Sequence, residues 1–153
     1  MSIFIMLDVG GTEIKGGVFD VSGALWVASE TFRRKPGKIR IRSLKISATS
    51  FLILAGGFPK RKNWKESAMA FPGPFDYEQG ISLMRGLNKY DQIYGMRIPE
   101  ELRKRSRKLE RVKILFRHDV EAFARGVYRF GMKKQQEKVL CLCIGTGAGS
   151  AFS

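Results

Sequence analysis

Two glycine turns, each directly after an apolar stretch, are the parts of this sequence best suited to binding phosphate. They are Asp8-Val9-Gly10-Gly11-Thr12 and Gly145-Thr146-Gly147-Ala148-Gly149-Ser150. Glycine lets backbone N–H groups approach phosphate oxygens because no Cβ intervenes. A carboxylate such as Asp8 can hold Mg²⁺ through water, Thr12 can donate a hydroxyl hydrogen bond, and Lys15 can add a positive charge. The alternative is two ordinary turns, one of them beside a solvated aspartate.

The segment His118-Asp119-Val120-Glu121 lies where a predicted strand meets a predicted helix. Asp119 at such a junction can accept a proton from a substrate hydroxyl, which is the base role in phosphoryl transfer. The competing interpretation is an N-cap aspartate that stabilises the helix by about 1 kcal/mol, and the local pattern favours it. Glu121 has a simple alternative role, in which its charge complements the helix dipole.

Two further motifs are weaker signals. The turn Ala70-Phe71-Pro72-Gly73-Pro74 ends a predicted strand and can line a ligand pocket, although a plain turn explains it equally well. Cys141 and Cys143 are spaced by two on a predicted strand, so they face the same side of it. They lack the C-x-x-C spacing and a neighbouring His, so we expect buried structural thiols rather than a metal site.

The elements that must position these motifs alternate between strands and helices. Apolar and β-branched runs predict strands at Ile3–Leu7, Ile14–Phe19, Ala24–Phe32, Ala68–Phe71, Val112–Phe116 and Val139–Ile144, and helices from Pro99 to about Glu110 and at Val120–Phe130. The opening strands form an antiparallel meander, and the later strands are connected by helices. This order predicts an α/β domain with a mixed sheet.

Composition excludes several classes of protein. The chain has 153 residues, 44% of them hydrophobic, which is enough for one domain with a core. Two cysteines cannot build a disulfide framework. The longest apolar run is far shorter than the ~20 residues that span a bilayer, and the apolar start MSIFIML lacks the basic region of a secretory signal. We therefore expect a cytoplasmic protein without a membrane partner.

The positive charge is concentrated in one segment. The net charge is +14, which raises nucleic acid or another anionic surface as a partner. Residues 32–65 contain eleven basic residues and no acid: Arg33, Arg34, Lys35, Lys38, Arg40, Arg42, Lys45, Lys60, Arg61, Lys62 and Lys65. The rest of the chain carries only +3. This segment shows no clean helical period, and two hypotheses compete: a shifted reading frame or gene decay, and an evolved nucleic-acid patch.

In their order along the chain, these motifs resemble the ROK family of sugar kinases and related repressors. The resemblance is carried by LDVGGTEIKGGVFD, AMAFPGPFD, GISLMRGLNKYDQIYG, FRHDVEAFARGVYRFG and CLCIGTGAGSAF, within residues 2–32 and 67–153. It implies a ribonuclease-H-like fold of the actin and hexokinase type, with a mixed five-stranded sheet and flanking helices. Residues 1–138 would form the N-terminal lobe, atypical and basic at 33–66. Residues 139–153 would be the first strand and phosphate hairpin of a second lobe.

The resemblance also implies roles for individual residues. The ATP phosphates and Mg²⁺ would be bound by Asp8, Gly10, Gly11, Thr12, Lys15, Gly145, Thr146, Gly147 and Gly149. Asp119 would be the catalytic base, and the sugar would meet Pro72, Gly73, His118, Asp119 and Glu121. The family usually has Asn-Asp-Ala-Asn where this chain has His118-Asp119-Val120-Glu121, so the preference for glucose is open. The zinc motif of the family, rich in His and Cys, is not in this sequence.

The function implied is ATP-dependent phosphorylation of a sugar hydroxyl. Because the sequence stops where a second lobe would begin, we expect the polypeptide by itself to be inactive or weakly active. The alternatives are a basic nucleic-acid-binding or regulatory module built on a ROK lobe, and a decayed gene product. The expected partners are a sugar and either a second copy of the chain or a polypeptide that supplies the second lobe; nucleic acid is the less favoured partner.

Overall fold

The computed structural model of this chain describes residues 2–10, 13–33, 41–56, 63–86, 90–131, 138–144 and 148–152. Five of the residues predicted to bind phosphate lie outside these ranges: Gly11, Thr12, Gly145, Thr146 and Gly147. No helix in the described part of the chain is long and apolar enough to cross a membrane.

Strands and helices alternate much as the pattern of the sequence predicts. The strands are β1 Ser2–Val9, β2 Glu13–Asp20, β3 Leu25–Arg33, β4 Asn63–Phe71, β5 Phe75–Asp76, β6 Ile81–Ser82, β7 Lys113–His118, β8 Leu140–Ile144 and β9 Ala148–Phe152. The helices are α1 Ile41–Gly56, α2 Ile98–Arg105 and α3 Asp119–Gly126, with short 3₁₀ turns at Asp91–Ile93 and Arg107–Leu109. A wider helical turn, Val127–Gly131, continues α3.

The central feature is a mixed five-stranded sheet in the order β3-β2-β1-β4-β7. The first three strands form the predicted antiparallel meander. β4 pairs in parallel with β1, and β7 pairs in parallel with β4. Because parallel neighbours run in the same direction, β1, β4 and β7 all end at one edge of the sheet.

One face of this sheet carries the core. In β1 the buried residues alternate with more exposed ones, as a half-buried strand requires: Ile3, Ile5, Leu7 and Val9. Helices α1 and α2 contact each other, and α1 packs on β1 and β2. α3 contacts the end of the sheet formed by β4 and β7. This arrangement leaves Met6 and Leu115 of the sheet about half exposed.

Helix α1 is the main element that the sequence did not predict. It lies inside the basic segment, yet Ser50, Phe51 and Leu54 are buried at helical spacing. Gly16 of β2 makes room for it, because an added Cβ would lie 2.7 Å from Leu54 Cδ1 and 2.6 Å from Leu7 Cδ2. The segment therefore supplies part of the core, which its charge pattern conceals.

Element ends differ from the predictions where the backbone changes direction. The helix predicted to run to Glu110 ends at Arg105, because Ser106 is extended and a 3₁₀ turn follows it. The strand expected at Ala68–Phe71 begins at Asn63. The small hairpin of β5 and β6 was not predicted, since two-residue strands carry no periodic signal.

The turn between β2 and β3 is held by one carboxylate. Asp20 accepts hydrogen bonds from the backbone N–H groups of Ser22 (2.8 Å) and Ala24 (3.2 Å), from the Ser22 hydroxyl, and from the Trp26 indole (2.7 Å). These donors, led by the Ser22 hydroxyl and then Trp26, lower the pKa of Asp20 to about 2.

We expect Phe51→Ala to lower the free energy of unfolding by about 3–5 kcal/mol, because it removes a fully buried ring. The control is Ile53→Ala on the same helix, where 45% of the side chain is exposed; its effect should stay below about 1 kcal/mol. Urea unfolding followed by circular dichroism measures both. Equal, small effects would show that α1 is not part of the core.

We expect Asp20→Asn to weaken the dependence of stability on pH at acid pH. The lowered pKa means that Asp20 stabilises the fold when ionised, and that this contribution is lost as the pH falls from about 4 to about 2. The variant should therefore be less stable than the wild type at pH 7 and closer to it near pH 2. Urea midpoints across this range test the prediction, and parallel pH profiles for the two proteins would contradict it.

Candidate active site

Most of the predicted site residues that the structure describes lie at the edge where β1, β4 and β7 end. The register places Asp8, Ala70 and Arg117 side by side across the three strands. His118 pairs with Phe71 one step further, and Asp119 begins α3 directly afterwards. Neighbouring strands lie about 4.8 Å apart, so the backbones of β1 and β7 are about 10 Å apart, with β4 between them.

Asp8 lies in an environment that disfavours its charge. The protein atoms packed around its carboxylate raise its pKa, and the negative charge of Asp119 raises it further. Lys15 lies opposite Asp8 in the pairing of β1 with β2 and acts in the other direction. The Lys15 ammonium also forms an ion pair with Glu13 at 3.1 Å. Three carboxylates, those of Asp8, Glu13 and Asp119, and one lysine thus lie near this edge of the sheet.

Asp119 is the first residue of α3, and His118 occupies the N-cap position. The N-cap interpretation of Asp119 is therefore wrong. Asp119 Oδ1 accepts the backbone N–H of Val120 at 2.8 Å, and it lies 3.6 Å from His118 Nδ1. The side chains of His118 and Asp119 are 36% and 35% exposed, so a substrate can reach both.

The Pro72–Gly73 turn lies against the junction that carries His118. A Cβ at Gly73 would be 3.5 Å from His118 Cδ2 and 3.2 Å from the hydroxyl oxygen of Tyr77. Two motifs that are 45 positions apart in the sequence are therefore neighbours in the fold. The absence of a side chain at Gly73 is what allows this close approach.

Tyr77 belongs to this site and was missed by the sequence analysis. Its hydroxyl donates to the carbonyl of Phe71 at 3.1 Å, and its ring meets His118 edge-on. Burial, followed by the negative charges of Asp119 and Glu121, raises the pKa of Tyr77. A lone aromatic residue between two turns carries no periodic signal, so its closeness to the Pro-Gly turn was the one available hint.

Glu121 is engaged in ion pairs. Its Oε1 accepts hydrogen bonds from Arg117 at 2.5 Å and from Arg125 at 3.0 Å. These contacts connect the last turn of α3 with the end of β7. The Glu121 carboxylate, which the family resemblance assigns to sugar binding, is thus already paired with two arginines. Its role in sugar binding stays a prediction.

A concave surface of about 520 Å³ lies on the open face of the sheet beside the site. Asp8, Lys15 and Arg117 supply its polar groups, and much of the remaining lining is apolar, including Met6 and Leu115. It brings one anionic and two cationic side chains together next to Asp119.

The two glycines of the phosphate turns that the structure describes have different surroundings. Gly10 follows β1, and a Cβ there would lie 3.2 Å from the carbonyl oxygen of Glu13. Gly149 lies in β9 against α3, and a Cβ there would be 2.6 Å from Val120 Cγ2. Gly149 therefore has a packing role, which holds the β8–β9 hairpin against the helix that begins with Asp119.

Cys141 and Cys143 lie on β8 as predicted, half-buried and without a disulfide. Burial raises the pKa of the Cys143 thiol, with a further contribution from Cys141. Within the described ranges, no group of three or more His, Cys, Asp or Glu side chains is arranged to hold a metal ion. The sequence predicted buried thiols, whereas both side chains are only half-buried.

Comparison with known proteins supports one family. The model of the ROK family matches residues 4–153, and the match includes the basic segment. No curated protein sequence matches the chain significantly.

Solved structures share the fold. An inorganic polyphosphate/ATP-glucomannokinase from Arthrobacter sp. strain KM superposes with a TM-score of 0.76 at 22% identity, covering 99% of this chain and 58% of its own. A ROK family glucokinase from Streptomyces griseus, in complex with glucose and AMPPNP, superposes with a TM-score of 0.70 at 21% identity. The match covers 98% of this chain and 44% of the glucokinase. A ROK family transcriptional regulator, a homolog of the E. coli MLC protein, superposes with a TM-score of 0.72 at 16% identity. The match covers 99% of this chain and 36% of the regulator. The chain thus spans about half the length of the solved kinases, and it has their actin-like ATPase fold.

We expect Asp8→Asn to stabilise the protein at pH 7. A raised pKa means that ionising Asp8 costs more free energy in the fold than in the unfolded chain, so stability falls as the pH rises through its titration. The gain should be at most about 1 kcal/mol, because solvent screens charges at this edge. It should vanish at pH 3, where Asp8 is protonated in both states. Thermal unfolding at the two pH values measures it, and a destabilised variant at pH 7 would contradict the prediction.

Proposed function

The chain belongs to the ROK family, and from this premise we propose that its site serves the transfer of the γ-phosphoryl group of ATP to a sugar hydroxyl. One observation carries the proposal: because β1, β4 and β7 run parallel, Asp8 near the end of β1 and Asp119 directly after β7 lie at the same edge of the sheet. The Pro72–Gly73 turn and His118 lie beside Asp119. Paired carboxylates next to a concave surface with cationic groups suit phosphoryl transfer.

In this proposal Asp119 is the general base. Its carboxylate accepts the proton of the sugar hydroxyl while the hydroxyl oxygen forms a bond to the γ-phosphorus. The bond from that phosphorus to the bridging oxygen of ADP breaks, and ADP leaves with the electron pair. The position of Asp119 at the start of α3 holds its carboxylate still, because Oδ1 already accepts the N–H of Val120.

The residues present suit a magnesium ion at Asp8. Mg²⁺ prefers oxygen ligands and keeps several waters, so one protein carboxylate and the phosphates of the substrate are enough to hold it. Burial, and then the negative charge of Asp119, raise the pKa of Asp8, and a cation bound beside the carboxylate would favour its charged form. When bound, Mg²⁺ would neutralise charge on the phosphates. Lys15, on the strand beside Asp8, would orient a phosphate oxygen by its charge.

The sugar in this proposal contacts the turn at Pro72 and Gly73 and the imidazole of His118. His118 can donate or accept a hydrogen bond with a sugar hydroxyl, as an amide can. The first phosphate turn would contribute Gly10, Gly11 and Thr12, and the second would contribute Gly145, Thr146 and Gly147. Gly149 would support the second turn through its packing on α3. The identity of the sugar is part of the proposal to be tested.

The 153-residue polypeptide by itself should turn over slowly. His118 and Asp119 are each about a third exposed. Phosphoryl transfer depends on positioned charges in a site from which water is excluded. A site open to solvent positions its charged groups less well and does not exclude water. We therefore expect sugar phosphate to accumulate over hours rather than seconds.

We expect Asp119→Asn to reduce the rate of sugar phosphate formation by about 10²–10⁴-fold, because an amide cannot accept the proton. The rate is measured by mass spectrometry with ATP, Mg²⁺ and, in separate samples, glucose, mannose and N-acetylmannosamine. The matched control is Glu110→Gln. It removes an exposed acid before β7 begins, at the strand end opposite Asp119.

Two results would contradict this account. Equal rates for Asp119→Asn and Glu110→Gln would remove Asp119 as the base. An ordinary kinase rate for the isolated wild-type polypeptide would refute the expectation of slow turnover.

A further inference from the structure

Tyr77 connects the two halves of the candidate sugar site. Its hydroxyl donates a hydrogen bond of 3.1 Å to the carbonyl of Phe71, the last residue of β4. That carbonyl directly precedes Pro72. The bond therefore fixes the start of the turn that approaches the sugar.

The ring of Tyr77 also supports His118. The two ring centroids are 6.0 Å apart, and the planes meet at 82°, which is an edge-to-face contact. Phe75 lies 5.2 Å from Tyr77, and Phe75 packs in turn on Phe71 at 4.8 Å and Phe116 at 5.2 Å. The rings of Phe71, Phe75 and Phe116 are buried. Tyr77 is therefore packed against the core, and its ring limits the movement of the His118 imidazole.

Gly73 packs closely against the side chains of both Tyr77 and His118. A Cβ at this position would lie 3.2 Å from the Tyr77 hydroxyl oxygen and 3.7 Å from His118 Nε2. The turn, the phenol and the imidazole are therefore in contact distance of one another. A shift of Tyr77 would change the position of both the turn and His118.

We propose that Tyr77 is a positioning residue that fixes His118 and the Pro72–Gly73 turn in the arrangement that selects the sugar. The inference rests on the function proposed above. Because Asp119 directly follows His118, a hydroxyl that reaches the carboxylate also lies within reach of the imidazole. The separation of the imidazole from the turn then limits which substituents the sugar ring can carry.

The test uses His118 as its reporter, since it is the single histidine of the sequence and its ring protons give unique NMR signals. Tyr77→Phe keeps the ring and removes one oxygen, whereas Tyr77→Leu removes both the ring and the hydrogen bond. The control is Tyr94→Phe, which alters a tyrosine that is 48% exposed beside Arg85.

The first measurement is made without sugar. Tyr77→Leu should move the His118 ring-proton signals, because the ring current of the tyrosine is lost. Tyr77→Phe should leave those signals near their wild-type positions and speed hydrogen exchange of the Gly73 amide. If His118 and Gly73 behave in both variants as they do in Tyr94→Phe, the positioning role is overturned. Tyr77→Phe keeps this test decisive even if Tyr77→Leu does not fold.

The second measurement is a titration with glucose, mannose and N-acetylmannosamine, followed at His118. Tyr77→Phe should weaken the binding of the preferred sugar by about 2–10-fold, the range for one lost hydrogen bond, and should narrow the preference among the three sugars. Tyr94→Phe should leave affinities and preference unchanged.

The outcomes separate this inference from the proposed function. If the sugars bind the wild type and both Tyr77 variants with the same affinities and the same order, the Tyr77 proposal fails and the proposed function stands. If no sugar moves the His118 signals of the wild type, the proposed function and the selection of sugar by Tyr77 both fail. The first measurement then still decides whether Tyr77 positions His118.

Discussion

The parallel register of β1, β4 and β7 is the constraint on which the rest of this structure depends. It makes three strands end at one edge, so that Asp8, the Pro72–Gly73 turn and the His118–Asp119 junction meet although they are far apart in the sequence. The antiparallel meander borders these strands at β1, and α1 packs on β1 from the core face. A one-residue slip of β7 would move Arg117 away from the face that carries Asp8, would move His118 onto that face, and would dismantle the site.

The charged groups at the edge where β1, β4 and β7 end lower the stability of the fold, and the proposed function uses the same groups. Burial of the Asp8 carboxylate, and then the negative charge of Asp119, raise the pKa of Asp8 and so destabilise the folded state at neutral pH. Lys15 offsets part of that cost, and a substrate with a cation would offset more. The negative charge of Glu121 is instead balanced by ion pairs with Arg117 and Arg125. Asp8 and Asp119 are the two carboxylates to which the proposed function assigns chemistry.

Most strands of the sheet and the positions of Asp8 and Asp119 at strand ends were predicted from the sequence, and the failures have physical causes. Alternating apolar residues and glycine turns located most strands of the sheet, and strand ends located Asp8 and Asp119. Helix α1 escaped prediction because it lies in a segment, residues 32–65, that carries eleven basic residues and shows no clean helical period. Tyr77 escaped because its role comes from contacts with Phe71 and His118 that no local pattern encodes. The family model covers the basic segment, and α1, the helix inside that segment, packs on β1 and β2.

The most direct test of the central claim is a ¹³C NMR titration of the Asp8 carboxyl in the wild type and in Asp119→Asn. If the two carboxylates form one coupled site, removing the charge of Asp119 should lower the pKa of Asp8, while burial keeps it above its ordinary value. An Asp8 pKa that is the same in both proteins would show that the two carboxylates do not interact. It would contradict the account of a single active site at this edge of the sheet.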